Sequence, residues 1–329
     1  MQWGSGLTVG EVIDGTVALV FPGQGSQYVG MGRELRDASP AVNEVFADAD
    51  RILGVPLSDL MFNGPAPDLE DTINAQPAIL TASYATLVAI RERLVAKNLS
   101  LTPAMVAGHS LGEFTALVAA DVLTFADAVA LVRERGRLMA EAGKGSPGAM
   151  AAVLGLDDAV LAEVCAEASD ACVVVIANAN CPGQTVISGE VAAIERAIAL
   201  AKARGAKRAV RLGISIASHS PLMARASARF AERLAQTPLA DPRVPVVANV
   251  TAAPLTTAAE IRQELSVQME RPVNWTGSVQ TMVAAGVDAF VEIGPGNILA
   301  GLIKRINRDV QIHGITGLGL DLPAGTKAA

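Results

Sequence analysis

A serine between two glycines, at the end of an apolar run, is the first group in this chain placed to do chemistry. Val106-Ala107-Gly108-His109-Ser110-Leu111-Gly112-Glu113 follows apolar residues from Ala104 onward and precedes an Ala/Leu-rich helical pattern. Strand, sharp turn and helix in that order put a hydroxyl at the apex of the turn. Gly108 and Gly112 suit such a turn because a Cβ at either place would meet backbone. The helix N-terminus beside the serine has free N–H groups, chiefly that of Leu111, for a developing oxyanion. A serine nucleophile needs a base, and there are only three histidines, His109, His219 and His313. His109 adjoins the serine, and a tight elbow turns its side chain away. His313 sits in a short apolar terminal stretch, as a structural histidine would. His219 follows a strand and opens a helix, the usual setting of a loop-borne base, and is the favoured one. No acid stands out between Ser110 and His219. A backbone carbonyl can hold the Nδ1 proton instead, which fits a Ser–His dyad and weakens a lipase or esterase reading.

Three arginines, Arg133, Arg135 and Arg137, fall on one helical pattern from about Thr124 to Ala142. Two residues apart on a helix, they cannot share a face; most such arginines are solvated. The sequence Pro22-Gly23-Gln24-Gly25-Ser26-Gln27 follows a buried strand over Thr16–Phe21. It misses the dinucleotide fingerprint, because Tyr28 holds the third glycine place, and no Gly-Lys-Ser/Thr makes it a P-loop. Its glycines still allow backbone N–H groups to face a ligand; a plain β-turn accounts for them equally well.

The elements that must position these groups can be read in order. Ser39-Pro40 caps a helix to about Ile52, and Gln76-Pro77-Ala78-Ile79 opens a long one to about Lys97. After the serine turn and the arginine helix comes β-α-β-β-α-β: strands Ala149–Leu154, Cys172–Ile176, Gln184–Ser188 and Arg208–Leu212, helices Asp157–Ala168 and Glu190–Arg204. That is the ferredoxin-like order, and Asn178-Ala179-Asn180-Cys181-Pro182-Gly183 reads as the turn between its middle strands. His219 then leads into a helix to about Ala235. Pro245–Val250 reads as a strand, Gln268–Trp275 as a loop, Trp275–Ala285 as a helix, Ala289–Ile293 as a strand and Gln311–Ile315 as a last one. The expected organisation is an N-terminal extension 1–14, a discontinuous α/β-hydrolase-like domain 15–142 and 213–318, an inserted ferredoxin-like subdomain 143–212, and a frayed tail 319–329.

The chain has 329 residues, 51% hydrophobic and 18% charged, enough for a large packed core. Alanine inflates a mean hydropathy of +0.37. No run of about 18 apolar residues free of charge and helix breakers stands out, so no membrane span is expected. Residues 1–14 lack a basic n-region and do not read as a signal peptide; a cytoplasmic location is expected. A net charge of −7 argues against nucleic acid or anionic membranes as partners. Cys165, Cys172 and Cys181 have no metal-binding spacing, so no metal or other cofactor is expected. Asn98-Leu99-Ser100, Asn249-Val250-Thr251 and Asn274-Trp275-Thr276 match the glycosylation triplet, which carries no meaning without secretion.

Taken together these segments resemble the malonyl-CoA:acyl carrier protein transacylases and the acyltransferase domains of fatty acid and polyketide synthases. The resemblance covers about Val17 to Gly317. It rests on Phe21-Pro22-Gly23-Gln24-Gly25-Ser26-Gln27, Gln76-Pro77-Ala78, Gly108-His109-Ser110-Leu111-Gly112-Glu113, Arg135-Gly136, Asn178-x-Asn180-x-Pro182-Gly183-Gln184, Ser218-His219-Ser220-x-Leu222-Met223, Pro272-Val273-x-Trp275 and Glu292-Ile293-Gly294-Pro295-Gly296, all in this order. It implies Ser110 as nucleophile, His219 as base, and the backbone N–H groups of Gln24 and Leu111 as oxyanion hole. It further implies Arg135 as the clamp for the malonyl carboxylate and the Gln268 carbonyl as the group that orients His219. Asn178 and Asn180 would sit at the cleft between domains, with Gln76 near the acyl site. The implied reaction is ping-pong transfer of malonyl from malonyl-CoA, through a serine ester, to acyl carrier protein, by an enzyme expected to be a monomer. A serine hydrolase or thioesterase on the same fold is the alternative. Ser218, just before the histidine, leaves methylmalonyl as a second substrate reading, although Leu111 is the malonyl-type residue.

Overall fold

A computed structural model of the protein describes residues 7–8, 15–170 and 172–315. The tail 319–329 and most of the 1–14 extension lie outside the described residues. The strands, in chain order, are β1 (Leu7–Thr8), β2 (Val17–Phe21), β3 (Leu99–Ser100), β4 (Met105–Gly108), β5 (Gly148–Leu154), β6 (Val174–Cys181), β7 (Gln184–Glu190), β8 (Arg208–Arg211), β9 (Val246–Val247), β10 (Pro254–Leu255), β11 (Ala289–Ile293) and β12 (Gln311–Ile315). A six-stranded sheet runs β10-β9-β4-β2-β11-β12, parallel at every pairing except β9 with β10. A parallel strand covered on both faces must be apolar throughout, and all five residues of β2 are buried. Val17, Leu19 and Phe21 point into one apolar layer, under the helices Thr72–Ala96, Gly112–Ala119 and Phe125–Gly145. Ala18 and Val20 point into the other, under Trp275–Ala284 and Ile298–Ile306.

The second sheet is antiparallel with order β6-β7-β5-β8, and the helices Asp158–Ala168 and Val191–Ala203 pack on it. This is the ferredoxin-like arrangement, inserted into an α/β-hydrolase-like sheet. The stretch Asn178–Cys181 is not the turn expected from sequence. β6 continues through it with two register shifts, leaving only Pro182-Gly183 to reverse the chain. Gly183, at φ 71, takes the left-handed conformation the reversal needs. The extra strand length lets Asn178 bridge to Val273, and the N–H of Ala179 donate to the Val273 carbonyl at 2.9 Å, tying the small sheet to the large unit.

The long helix begins at Thr72, capped by Asp71, so Pro77 lies inside it and does not open it. Proline has no N–H for the carbonyl four residues back. That carbonyl, of Ile73, accepts instead from Arg133 Nη1 at 2.9 Å. Thr72–Ala96 is long and apolar enough by composition to cross a membrane, but 83% of its most apolar window is buried inside the protein, as in a core helix. Sequence reading also missed the helix Ala258–Val267, although Thr257 and Glu260 form a reciprocal capping box at its start. The expected strand over Pro245–Val250 shrinks to the two residues of β9.

Candidate active site

Parallel neighbours end at one edge of a sheet, and loops there face a common crevice. Phe21 of β2 pairs with Gly108 of β4, so the Gln24 loop and the Ser110 turn leave the sheet side by side. Ser110 takes the left-handed conformation at φ 52, which costs a non-glycine residue about 1–3 kcal/mol. Two glycines make the turn possible. A Cβ on Gly108 would stand 1.9 Å from the Gly112 carbonyl carbon, and one on Gly112 would stand 2.0 Å from the Phe21 oxygen. The strained residue is held by Asn249: its Oδ1 accepts the Ser110 N–H at 2.6 Å, and its Nδ2 donates to the Gly108 carbonyl at 2.7 Å.

His219 reaches the crevice from the loop after β8. Its Nε2 lies 2.8 Å from Ser110 Oγ. Its Nδ1 faces the carbonyls of Gln268 and Arg271 at 2.9 and 3.1 Å. Carbonyls only accept, so Nδ1 carries the proton and Nε2 presents its lone pair to the serine. Burial, then the Arg135 charge, push the imidazole down to about 3, so it is neutral at pH 7 and able to take a proton. His109 lines the same crevice, but its ring goes to Asn180, with Nε2 2.8 Å from Oδ1. His313 lies on the edge strand β12.

Of the three arginines only Arg135 is fully buried, at 1% exposure. Gly136 beside it lets the arginine helix approach the start of the Thr72 helix, since a Cβ there would lie 2.6 Å from the Thr72 oxygen. Arg135 donates from Nη1 to Gln76 Oε1 at 2.8 Å, and from Nη2 to Ser110 Oγ at 3.1 Å and Gln268 Oε1 at 2.9 Å. All three partners are neutral, and none of the ion pairs among the described residues includes it. Burial lowers the guanidinium to about 10, which leaves it charged at neutral pH. Arg137 is an exposed partner of Glu134 and Glu141.

The crevice, about 200 Å³, brings together Gln24, Ser110, Arg135, Asn178, Asn180 and His219. Leu111 is buried at the start of the next helix, and no described residue accepts the N–H of Gln24 or of Leu111. Gln76 and Gln268 stand behind the guanidinium. Met150, Val186, Leu212 and Ile214, from the small unit and the segment after it, give the opposite wall an apolar lining. Chemically this is a serine alkoxide generator beside a fixed cation. Sequence reasoning missed Asn249, which no local motif marks, and the side-chain roles of Gln268 and Glu113. Glu113 is buried; its Oε1 accepts the Asn249 N–H at 3.2 Å and its Oε2 accepts from Gln268 Nε2. Burial and then the neighbouring Glu264 hold its carboxyl well above the usual range.

A serine elbow and imidazole on a mostly parallel sheet, with a buried arginine and an inserted four-stranded unit, define an acyl-transfer protein. The family model of the acyl transferase domain matches residues 18–318, and the chain belongs to that family. It is 47% identical over 312 residues to the malonyl CoA-acyl carrier protein transacylase of Escherichia coli strain K12, covering 95% of this chain and 98% of that one. To the Bacillus subtilis protein of the same name it is 46% identical over 296 residues, covering 90% and 92%. The crystal structure of the Xanthomonas oryzae malonyl-CoA:acyl carrier protein transacylase superposes with a TM-score of 0.87 at 46% identity, covering 92% and 95%. A malonyl-transacylase in complex with a type II polyketide acyl carrier protein superposes with a TM-score of 0.86 at 42% identity, covering 91% and 96%.

Proposed function

We propose that this enzyme moves malonyl from malonyl-CoA to the phosphopantetheine thiol of acyl carrier protein through an ester on Ser110. The observation that carries the reading is Arg135: a buried, charged fork next to the nucleophile, bonded only to neutral groups. An acyl group ending in a carboxylate supplies the missing negative charge in bidentate form. A neutral acyl chain does not, which disfavours the hydrolase alternative.

His219 Nε2 takes the Ser110 proton as Oγ attacks the thioester carbonyl. The N–H groups of Gln24 and Leu111 receive the oxyanion. Collapse expels the CoA thiolate, which takes the proton back from Nε2–H. In the second half the carrier thiol gives its proton to His219 and attacks the ester, and Ser110 leaves and is reprotonated. The Gln268 carbonyl keeps the ring in one tautomer throughout. Asn178 and Asn180 border the cleft, and Gln76 holds the guanidinium beside the acyl site. The function fits a cytoplasmic monomer divided as 15–142 with 213–318 and an insert 143–212, supplying extender units to fatty acid or polyketide synthesis.

Intact-mass analysis after mixing with malonyl-CoA tests this. A malonyl adduct is expected on the parent and not on Ser110→Ala, with malonyl-CoA outcompeting methylmalonyl-CoA for it. An unmodified parent, or an adduct that survives Ser110→Ala, refutes the proposal. Arg135→Ala tests the clamp: malonyl transfer left intact would remove Arg135 from the assignment.

A further inference from the structure

Behind Ser110, His219 and Arg135 lies a second layer of side chains to which the transfer steps assign no role. Gln268 is its centre, buried at 1% exposure. Its main-chain oxygen holds His219, its Nε2 donates to the Ser110 carbonyl at 3.0 Å and to Glu113, and its Oε1 accepts from Arg135 Nη2 at 2.9 Å. One residue thus touches all three groups, His219 through its main chain and Ser110 and Arg135 through its side-chain amide, and the polarity of that amide matters. Turned by half a rotation, its NH₂ would face the guanidinium, donor to donor, and its oxygen would face two acceptors.

We propose that Glu113 is a positioning residue that fixes the orientation of the Gln268 amide and, through it, the guanidinium of Arg135. The Glu113 carboxyl group meets a donor on each side: Oε1 the main-chain N–H of Asn249, Oε2 the Nε2 of Gln268. The Asn249 N–H cannot move, because the Asn249 side chain is pinned across the elbow by Ser110 and Gly108. A carboxamide at position 113 must therefore aim its NH₂ at Gln268, the mobile partner. Gln268 then flips or withdraws: Arg135 Nη2 is left with Ser110 Oγ as its one acceptor, and the Ser110 carbonyl gives up the Gln268 donor while the elbow keeps its two ties to Asn249. Glu113 is thereby a determinant of carboxylate selectivity and not of serine reactivity as such.

The inference rests on Arg135 as malonyl clamp, and the experiment separates the two. Ser110 acylation is timed with malonyl-CoA and with p-nitrophenyl acetate, a neutral ester, and the ratio of the two rates is the readout. In Glu113→Gln the ratio is expected to fall about tenfold, the loss of one charge-assisted hydrogen bond. Gln268→Met is expected to lower it similarly, and the double variant to fall no further, since both act on one link. An unchanged ratio in Glu113→Gln, both rates falling alike, or an additive drop in the double variant overturns the proposal. If Glu113→Gln does not fold, Glu113→Asp replaces it: the retained acceptor keeps the ratio within about threefold of the parent, and a fall as large as in Gln268→Met overturns the proposal. Arg135→Ala run alongside tells the failures apart. No change in its ratio sinks the clamp; a lowered ratio there with none in Glu113→Gln sinks only the positioning role.

Discussion

Mild acid should destabilise this enzyme through His219, in an amount the structure sets. The ring is buried and the Arg135 charge stands close by, and together these outweigh the two carbonyls on Nδ1–H, which favour the charged ring, so the folded state holds it near 3. In the unfolded chain a histidine titrates near its ordinary value of about 6.5. The folded value is depressed, so nothing is lost above about pH 6.5, where both states carry a neutral ring. Below that the unfolded chain binds a proton the native state refuses. Stability then falls by about 1.4 kcal/mol per pH unit until the folded ring protonates near 3, a ceiling of about 5 kcal/mol. Between pH 7 and pH 5 the share of this one histidine is about 2 kcal/mol. His109, also lowered by burial, acts in the same direction, and Glu113, raised by burial, in the opposite one. The clean measurement is therefore a difference: urea unfolding of the parent and of His219→Gln at pH 7 and pH 5. The parent should lose about 2 kcal/mol more than the variant over that interval. In Arg135→Ala the loss should shrink, since the second cause of the depression has gone. Parallel pH dependence of parent and His219→Gln would refute the picture of a buried neutral base.

Other consequences follow from single contacts. Gly112→Ala drives a Cβ to 2.0 Å from the Phe21 oxygen, so soluble yield or melting temperature should collapse and acylation be lost even in any folded fraction. Asn249→Ala leaves the Ser110 N–H and Gly108 carbonyl without their partner, a loss of about 2–5 kcal/mol in denaturant unfolding, with Ser110 acylation by a neutral ester slowed as well. Arg133→Ala strips the Ile73 carbonyl opposite Pro77 of its donor; about 1–3 kcal/mol of stability should go, with malonyl transfer retained at assay temperature.

How much of this was legible beforehand depended on whether a signal was local. The serine elbow was, because its geometry demands glycine at two fixed offsets, and the β-α-β-β-α-β insert was, because each element is short and flanked by turn residues. His219 could be reached by elimination only because histidine is scarce here. Arg135 could not be separated from Arg133 and Arg137 on periodicity: which arginine turns inward is decided by Gly136, whose bare Cα admits the Thr72 helix. Two segments misled through long-range compensation. Pro77 reads as a helix start until Arg133, 56 residues on, is seen to satisfy the carbonyl it orphans. Asn178–Cys181 reads as a turn until Val273 supplies the pairing that keeps it extended. The same holds for the second layer of the site. Asn249 is 139 residues from Ser110 in sequence and Gln268 is 155 from Glu113, and each contributes an amide whose orientation has meaning only against its partner. A nucleophile advertises itself through the backbone that must bend around it. The groups that hold that bend and aim the cation beside it do so through side chains, and no pattern in the chain obliges them to be near.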